Sequence, residues 1–233
     1  MNKKHIRWIG LFQVFLMILA GMSYPVSAAV QLPFKDVSPS SWFYDGVRFV
    51  YDRGLMIGTA EDVFSPDAST TRAMIVTILH RAEGKPAAKG GNYKDVPDGQ
   101  WYSEAVNWAT DKEIVNGYGG GMFGPNDPIT REQMAAILFR YSGFKEYDVR
   151  RRADLSEFAD RGQISPYAEE PLEWAKAAGL IKGVTKDILD PKGEATRAQV
   201  ATIFWRYLQL SVSEWLEDFR IEDLFVPTAG SYA

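Results

Sequence analysis

The sequence predicts an all-α protein in which three helix-loop-helix repeats form one pseudo-threefold bundle or spindle. One ordered series of landmarks occurs three times along the 233 residues. Within each copy, apolar residues recur at i, i+3, i+4 and i+7, the pattern of a helix with one buried face. Two helices per copy are too few to enclose a core, so the three copies are expected to share one. A hydrophobic content of 46% is sufficient for that core.

The N-terminus precedes the repeats and has the pattern of a secretory signal peptide. Lys3, Lys4 and Arg7 form a basic start, an apolar stretch follows, and "VSAA" ends the segment at 26–29. An apolar stretch of about 13 residues is too short for a membrane span, which needs roughly 20. We therefore predict that residues 1–29 are removed on export and that the mature protein has no membrane span.

The mature chain is acidic and contains no cysteine. Without the signal it has 23 lysines and arginines against 30 aspartates and glutamates, a net charge of about −7. This balance argues against nucleic acid as a partner, and any anionic ligand must meet local arginine or lysine. The lack of cysteine excludes disulfides and thiolate metal sites. We predict no cofactor and no metal.

The repeats are predicted at 34–81, 93–141 and 158–207. Each has an aspartate in its opening, an aromatic residue, a glycine after the first helix, an F-x-P loop (L-x-P in the third repeat) and a Thr-Arg step. The shared landmarks are the aspartates Asp36, Asp95 and Asp160, the aromatics Trp42, Trp101 and Tyr167, the glycines Gly58, Gly117 and Gly183, and the arginines Arg72, Arg131 and Arg197. Their common order indicates one duplicated unit.

The second helix of each repeat begins at the Thr-Arg step and has the clearer apolar face. In repeat 2 that face is Met134, Ile137, Leu138 and Tyr141. Thr130 with Gln133, and Thr196 with Gln199, have the spacing of a capping box, whereas Thr71 is followed by Met74 and can make only half of one. The threonine is thereby explained as a helix start.

The arginine of the Thr-Arg step is not explained by helix formation. A positive charge at the first helical position opposes the helix dipole and costs about 0.3–1 kcal/mol. Three such arginines therefore imply an anionic partner. One reading pairs each with an opening aspartate, and the other points a guanidinium at an anionic ligand in a cleft between repeats. The residues alone leave both open.

The tryptophans divide into two groups by their position in the repeats. Trp108 and Trp174 lie in first-helix patterns and are predicted in the core. Trp42 and Trp101 lie in loops, where a ring can close the edge of the core or offer its face to a sugar. Packing at the core edge is the favoured reading.

The ordered landmarks together resemble the bacterial surface-layer homology module, of which three tandem copies are usual. The resemblance covers about residues 34–207. It implies a spindle around a central helical bundle, with ligand clefts between neighbouring modules. It also implies a secreted protein that is held non-covalently at the wall of a Gram-positive-type bacterium by secondary cell wall polysaccharide, typically with a pyruvate ketal on an amino sugar.

The same resemblance implies which residues bind the polymer. The arginines of the Thr-Arg step are expected to contact the pyruvyl group, and the aspartates, aromatics and glycines named above are expected to complete the sites. In the family an acidic residue often stands two positions after the arginine of the Thr-Arg step, and this chain has Met74, Gln133 and Gln199 there. Repeat 3 also departs from the family at Leu189 and in its opening "FADRGQISPY". We therefore expect at least one weak cleft, with repeat 3 the most divergent.

Two alternatives concern catalysis and the C-terminal tail. The mature chain has one histidine, His80, and no residue pattern singles out a carboxylate pair, so we predict no catalytic residue and treat a wall glycan hydrolase as the weaker reading. The tail, 208–233, is predicted as a short acidic amphipathic helix with Trp215, Leu216 and Phe219 on one face. It serves either as a lid on the bundle or as a handle through which an adaptor tethers a partner protein.

Overall fold

The computed structural model describes residues 32–89 and 93–218, with side chains up to residue 210. The predicted signal peptide and the last part of the tail lie outside the described residues. The repeats belong to one compact unit that begins at Phe34. The described residues of this unit form six α-helices: α1 Tyr44–Asp52, α2 Arg72–Ala82, α3 Ser103–Asp111, α4 Arg131–Phe144, α5 Glu169–Ala177 and α6 Arg197–Asp218. Short 3₁₀ helices at Arg161–Gln163 and Pro166–Ala168 precede α5. The predicted all-α class is confirmed.

Helices of neighbouring repeats pack against each other, so that the three repeats form a closed ring. The first helix of each repeat packs on the second helix of the repeat before it, so that α3 contacts α2, α5 contacts α4, and α1 closes the ring on α6. The closing contact is close, because a Cβ placed on Gly46 of α1 would lie 2.8 Å from the Cα of Thr202 in α6. The predicted pseudo-threefold bundle is therefore built by cyclic packing of helices from different repeats.

A cycle of three backbone hydrogen bonds lies where the repeats meet. The N–H of Thr70 donates to the carbonyl of Ala195 (3.0 Å), that of Ala195 to Ile129 (2.9 Å), and that of Ile129 to Thr70 (2.8 Å). All three residues are buried. Each stands two positions before its Thr-Arg arginine, so the cycle sets the second helices in equivalent positions.

The start of each second helix is also satisfied by the neighbouring repeat. The N–H groups of Arg72 and Ala73 donate to the carbonyls of Asp127 and Pro125, which lie in the loop after the first helix of repeat 2. Repeats 2 and 3 repeat this arrangement through Arg131 with Gly193, Glu132 with Pro191, Arg197 with Ala68, and Ala198 with Pro66. The first backbone donors of a helix have no partner inside the helix, and here the next repeat supplies one.

The side chains predicted for the core are buried as expected. Met134, Ile137, Leu138 and Tyr141 of α4 are buried, and so is Trp108 of α3. The capping boxes predicted at Thr130 and Thr196 are present, and Thr71 accepts only from the N–H of Met74. These local predictions are confirmed.

The last helix is longer than the repeat pattern predicts. α6 continues past Tyr207 to Asp218, so the described part of the tail extends the second helix of repeat 3 and does not start a new one. The lid or adaptor role predicted for 208–233 concerns side chains that lie outside the described residues. Among the helices that are described, none is long and apolar enough to cross a membrane.

Candidate functional site

Three grooves of common design lie between the repeats. Each contains a Thr-Arg arginine from one repeat, a post-helix glycine and a second arginine from the next, and an aromatic residue from the third. Groove 1 contains Arg72, Gly117, Arg140 and Tyr167; groove 2 contains Arg131, Gly183, Arg206 and Trp42; groove 3 contains Arg197, Gly58, Arg81 and Trp101. Their volumes are about 260, 370 and 390 Å³ respectively. Every groove is therefore built by all three repeats.

The Thr-Arg arginines are buried and held by backbone carbonyls. Arg72 donates from Nε to the carbonyl of Phe123 and from Nη2 to that of Asn116, both at 3.0 Å. Arg131 donates in the same way to Leu189 and Lys182, and Arg197 to Phe64 and Ile57. A guanidinium has five N–H donors, so each arginine fixes the neighbouring repeat and retains donors in its groove.

The Thr-Arg arginines do not form ion pairs with the opening aspartates, which were one of the two partners suggested by the sequence. Of the salt bridges among the described residues, none joins a Thr-Arg arginine to an opening aspartate. Of the two alternatives that the sequence leaves open, the direct Arg-Asp ion pair is therefore not formed among the described residues. The reason is that a peptide group stands between the two charges: Arg72 donates to the carbonyl of Phe123, while Asp95 accepts at 2.7 Å from the N–H of Gly124, which belongs to the same peptide group.

The opening aspartates have a structural contact in their own repeats. Both oxygens of Asp95 accept backbone N–H groups, from Phe123 at 2.8 Å and Gly124 at 2.7 Å. Asp36 binds Phe64 and Ser65 in the same way, and Asp160 binds Leu189 and Asp190. None of the three aspartates lines a described groove. Their binding of ligand stays a prediction, but the loop that they shape holds the arginine.

Electrostatics reflect this division of contacts. Burial would raise the pKa of Asp95, but hydrogen bonds from backbone N–H groups outweigh it and lower that pKa below its usual value. Burial lowers the pKa of Arg72, Arg131 and Arg197. Because arginine titrates so far above neutrality, the groups remain charged. Each groove therefore contains a partly desolvated cation, which interacts more strongly with an anion than an exposed one does.

A second arginine in each groove was missed by the sequence reading. Arg81, Arg140 and Arg206 each stand nine residues after the Thr-Arg arginine of their own repeat, on the outer part of the second helix. Arg81 donates to the carbonyl of Leu55 at 2.9 Å and Arg206 to that of Leu180 at 3.3 Å. Arg140 makes no hydrogen bond or ion pair within the described part of the chain. Their threefold recurrence in one register was the available signal.

The aromatic residue of each groove is exposed. Trp42, Trp101 and Tyr167 are 65, 58 and 49% accessible, so the prediction that the two tryptophans close the core edge is wrong. The neighbouring ring takes that place: Phe43 packs edge-on against Trp42 and Tyr102 against Trp101. The groove aromatic is thereby turned outward, and a flat apolar face is suited to a sugar ring.

The post-helix glycines line the grooves for a packing reason. A Cβ on Gly117 would lie 2.5 Å from the ring of Tyr93, the opening aromatic of the repeat, and a Cβ on Gly58 would lie 2.7 Å from that of Phe34. A side chain is therefore excluded by the protein itself. Any approach of a ligand to this backbone, as the resemblance implies, uses a surface that the core packing already requires.

Two of the aligned positions at which the three grooves differ change their charge or polarity. Asn116 of groove 1 is replaced by Lys182 in groove 2 and Ile57 in groove 3, and Gln133 is matched by Gln199 and then Met74. Groove 2 thus gains a third cationic side chain, and groove 3 is the most apolar. No aspartate or glutamate of the described residues lines any of the three.

The sequences of the three repeats match a known family along most of their length. The family model of the S-layer homology domain matches residues 33–73, 92–135 and 157–201. The chain belongs to the S-layer homology domain family. These matches confirm the resemblance to three tandem modules, while the repeat and tail boundaries given above stay predictions.

Relatives with this domain include surface-layer proteins and polysaccharide-degrading enzymes. The chain is 32% identical over 196 residues to the surface-layer 125 kDa protein of Lysinibacillus sphaericus, with 82% of this chain and 16% of that protein covered. It is 30% identical over 203 residues to an endoglucanase of Bacillus sp. strain KSM-635, with 85% and 21% covered. It is 27% identical over 186 residues to the S-layer protein sap of Bacillus anthracis, with 79% of this chain and 22% of that protein covered.

The extent of these matches limits what they show. The chain spans about a fifth of the length of these relatives. The S-layer homology domain and the surface-layer relatives support attachment at the bacterial cell surface as the role of this domain.

Proposed function

We propose that this S-layer homology domain chain anchors non-covalently to a Gram-positive-type cell wall by binding pyruvylated secondary cell wall polysaccharide in grooves 1, 2 and 3. The charge of the grooves is the observation that supports this proposal most directly. Each contains two arginines and no lining carboxylate, in a chain whose acidic residues outnumber its basic ones by 30 to 26. A local cation pair in an acidic protein favours a specific anionic ligand over general attraction to polyanions.

The shape and chemistry of the grooves support a sugar acid as that anion. The carboxylate of a pyruvate ketal matches the planar fork of a guanidinium. Trp42, Trp101 and Tyr167 offer apolar faces beside the arginines, and sugar rings present C–H surfaces to such faces. Volumes of about 260 to 390 Å³ suit one or two sugar units better than an extended chain.

The grooves also support a binding role over a hydrolytic one. Most glycosidases need two carboxylates on either side of the scissile bond, and the described groove linings contain none. The match to an endoglucanase covers 21% of that enzyme. We therefore propose that the chain is non-catalytic and that its domain supplies attachment.

Co-sedimentation with purified cell walls tests the proposal. The protein should sediment with intact walls. It should remain in the supernatant when it is mixed with walls from which the secondary polymer has been extracted. A triple variant, R81A/R140A/R206A, should lose sedimentation while keeping its fold by circular dichroism. Equal binding to extracted walls would exclude the polymer as the ligand, and wild-type binding by the triple variant would exclude Arg81, Arg140 and Arg206 from the site.

A further inference from the structure

Glu132 is a buried acid that repeat 2 has and the other repeats lack. It follows Arg131 directly, and the equivalent residues are Ala73 and Ala198. Its side chain is 4% exposed. A buried carboxylate without partners is strongly unfavourable, so its contacts should show what it does. It does not line groove 1, 2 or 3.

Every side-chain partner of Glu132 belongs to repeat 3. Oε1 accepts from the Tyr167 hydroxyl at 3.0 Å, from Ser165 Oγ at 2.9 Å and from Lys192 Nζ at 2.6 Å. Oε2 accepts from the backbone N–H of Ser165 at 3.0 Å. The carboxylate therefore fastens the segment that contains the aromatic residue of groove 1.

Tyr167 lacks the support that the other groove aromatics have. Trp42 is followed by Phe43 and Trp101 by Tyr102, with ring centroids 5.3 and 5.1 Å apart and nearly perpendicular planes. Tyr167 is followed by Ala168, which has no ring to pack against it. An exposed aromatic side chain with no neighbour on its near side would sample several rotamers.

We propose that Glu132 is the positioning residue of groove 1, where its bond to the Tyr167 hydroxyl replaces the missing aromatic neighbour. The hydroxyl is engaged inside the protein, so the ring presents its face to the groove as the tryptophans do. Groove 1 therefore keeps an ordered aromatic wall although repeat 3 has the divergent opening. This inference deepens the proposed function and rests on it.

Electrostatics agree with a permanently ionised Glu132. Burial would raise the pKa of Glu132, but hydrogen bonds from Lys192, Ser165 and Tyr167 outweigh it and lower that pKa below its usual value. Burial and the bond to Glu132 raise the pKa of Tyr167 to about 12, so the hydroxyl stays protonated and donates. The pair is in its bonding state throughout the neutral range.

A titration that reads each groove separately tests the proposal. The backbone amides of Gly117, Gly183 and Gly58 report grooves 1, 2 and 3 in a ¹H–¹⁵N spectrum of the whole protein. The probe is the methyl glycoside of a pyruvylated amino sugar. E132A should weaken affinity at Gly117 about fivefold, since ordering a free side chain on binding lowers affinity by roughly that factor, and should leave Gly183 and Gly58 within about twofold.

Three further variants separate positioning from stability. Y167F keeps the ring and removes the bond, so it should reproduce the selective loss at Gly117, and E132A should add little to it. E132Q keeps an acceptor for the Tyr167 hydroxyl and should retain most of the affinity. E104A, which removes an exposed glutamate from the first turn of α3, should change no groove.

The outcomes distinguish the two proposals. If the probe shifts none of the three glycine amides of the unmodified protein, the proposed function fails, and the role of Glu132 fails with it. If the probe binds and Y167F leaves Gly117 at full affinity, or E132A weakens all three grooves equally, only the positioning role is overturned. Should E132A not fold, Y167F and E132Q decide the matter alone.

Discussion

Each second helix has two arginines that line different grooves and differ in how the protein holds them. Arg131 lies at the start of α4, is buried, and donates two hydrogen bonds to carbonyls of the neighbouring repeat. Arg140 lies nine residues further along the same helix, is half-buried in groove 1, and makes no hydrogen bond within the described residues. One arginine is part of the ring that joins the repeats, and the other is available for a ligand.

This difference changes how arginine variants must be interpreted. A groove that uses a structural arginine obtains a preorganised, desolvated cation, but removing it damages the scaffold together with the site. The outer arginine separates the two effects.

Removal of a Thr-Arg arginine, here called an inner arginine, should have the largest effect on stability. R131A leaves the carbonyls of Leu189 and Lys182 without a donor, and hydrogen bonds to charged groups contribute about 1.5–3 kcal/mol each. We expect the free energy of unfolding to fall by about 3–5 kcal/mol, measured by urea denaturation. R131K, which has the charge but not the fork, should recover only part. An unchanged urea midpoint in R131A would show that the inner arginine is not a link between repeats.

Removal of charge from an opening aspartate should give the next largest effect. D95N keeps one acceptor but places an amide against the N–H groups of Phe123 and Gly124, so we expect a loss of about 1–3 kcal/mol in urea. Because the pKa of Asp95 is lowered in the folded state, its stabilisation is complete above the usual value of 3.8 and is lost as the pH falls below it. The difference between wild type and D95N should therefore shrink in acid. A constant difference at all pH values would contradict this.

The outer arginine should affect binding and leave stability unchanged. R140A removes a guanidinium that has no hydrogen-bond or ion-pair partner among the described residues, so the urea midpoint should correspond to a change within about 0.5 kcal/mol. Loss of one charge-assisted contact should weaken the saccharide affinity of groove 1 about tenfold, read at the amide of Gly117. Arg206 in groove 2 is the matched comparison, since its existing bond to Leu180 should make its removal cost more stability. Equal affinities for R140A and wild type would remove the outer arginine from the site.

The sequence predicted what depends on local patterns and on repetition. Helix starts at Thr71 and Thr130, and the buried face of α4, follow from residue type and spacing and are confirmed. Three copies with too small a core each predicted the shared bundle. The helix starts and the buried face are encoded within one repeat, whereas the shared bundle follows from the presence of three copies.

The sequence did not predict what depends on the order of repeats around the ring. The partner of Arg72 is the carbonyl of Phe123, 51 residues away in the next repeat, and a carbonyl has no sequence signature. A pairing of arginine with aspartate was one of the two alternatives suggested by charge, whereas the fold places a peptide group between them. Tyr167 contributes to a groove formed by the other two repeats, so divergence of repeat 3 does not correspond to one silent groove. The prediction of a weak cleft therefore stays untested.

The groove aromatics should give the smallest effect and the one most confined to the ligand. Trp101 is 58% exposed, and its loss removes a face without opening the core, so W101A should change the unfolding free energy by less than about 1 kcal/mol. Stacking on a sugar of this kind should contribute about 1 kcal/mol, or roughly fivefold in affinity at the amide of Gly58. W101F retains a face and should recover most of it. The matched control is Trp108, which is buried in α3: W108A should lower stability by about 3–5 kcal/mol. If W101A destabilised the protein as W108A does, Trp101 would belong to the scaffold and not to groove 3. If it changed neither stability nor affinity, the anion contacts of Arg81 and Arg197 would account for binding in groove 3 without the ring.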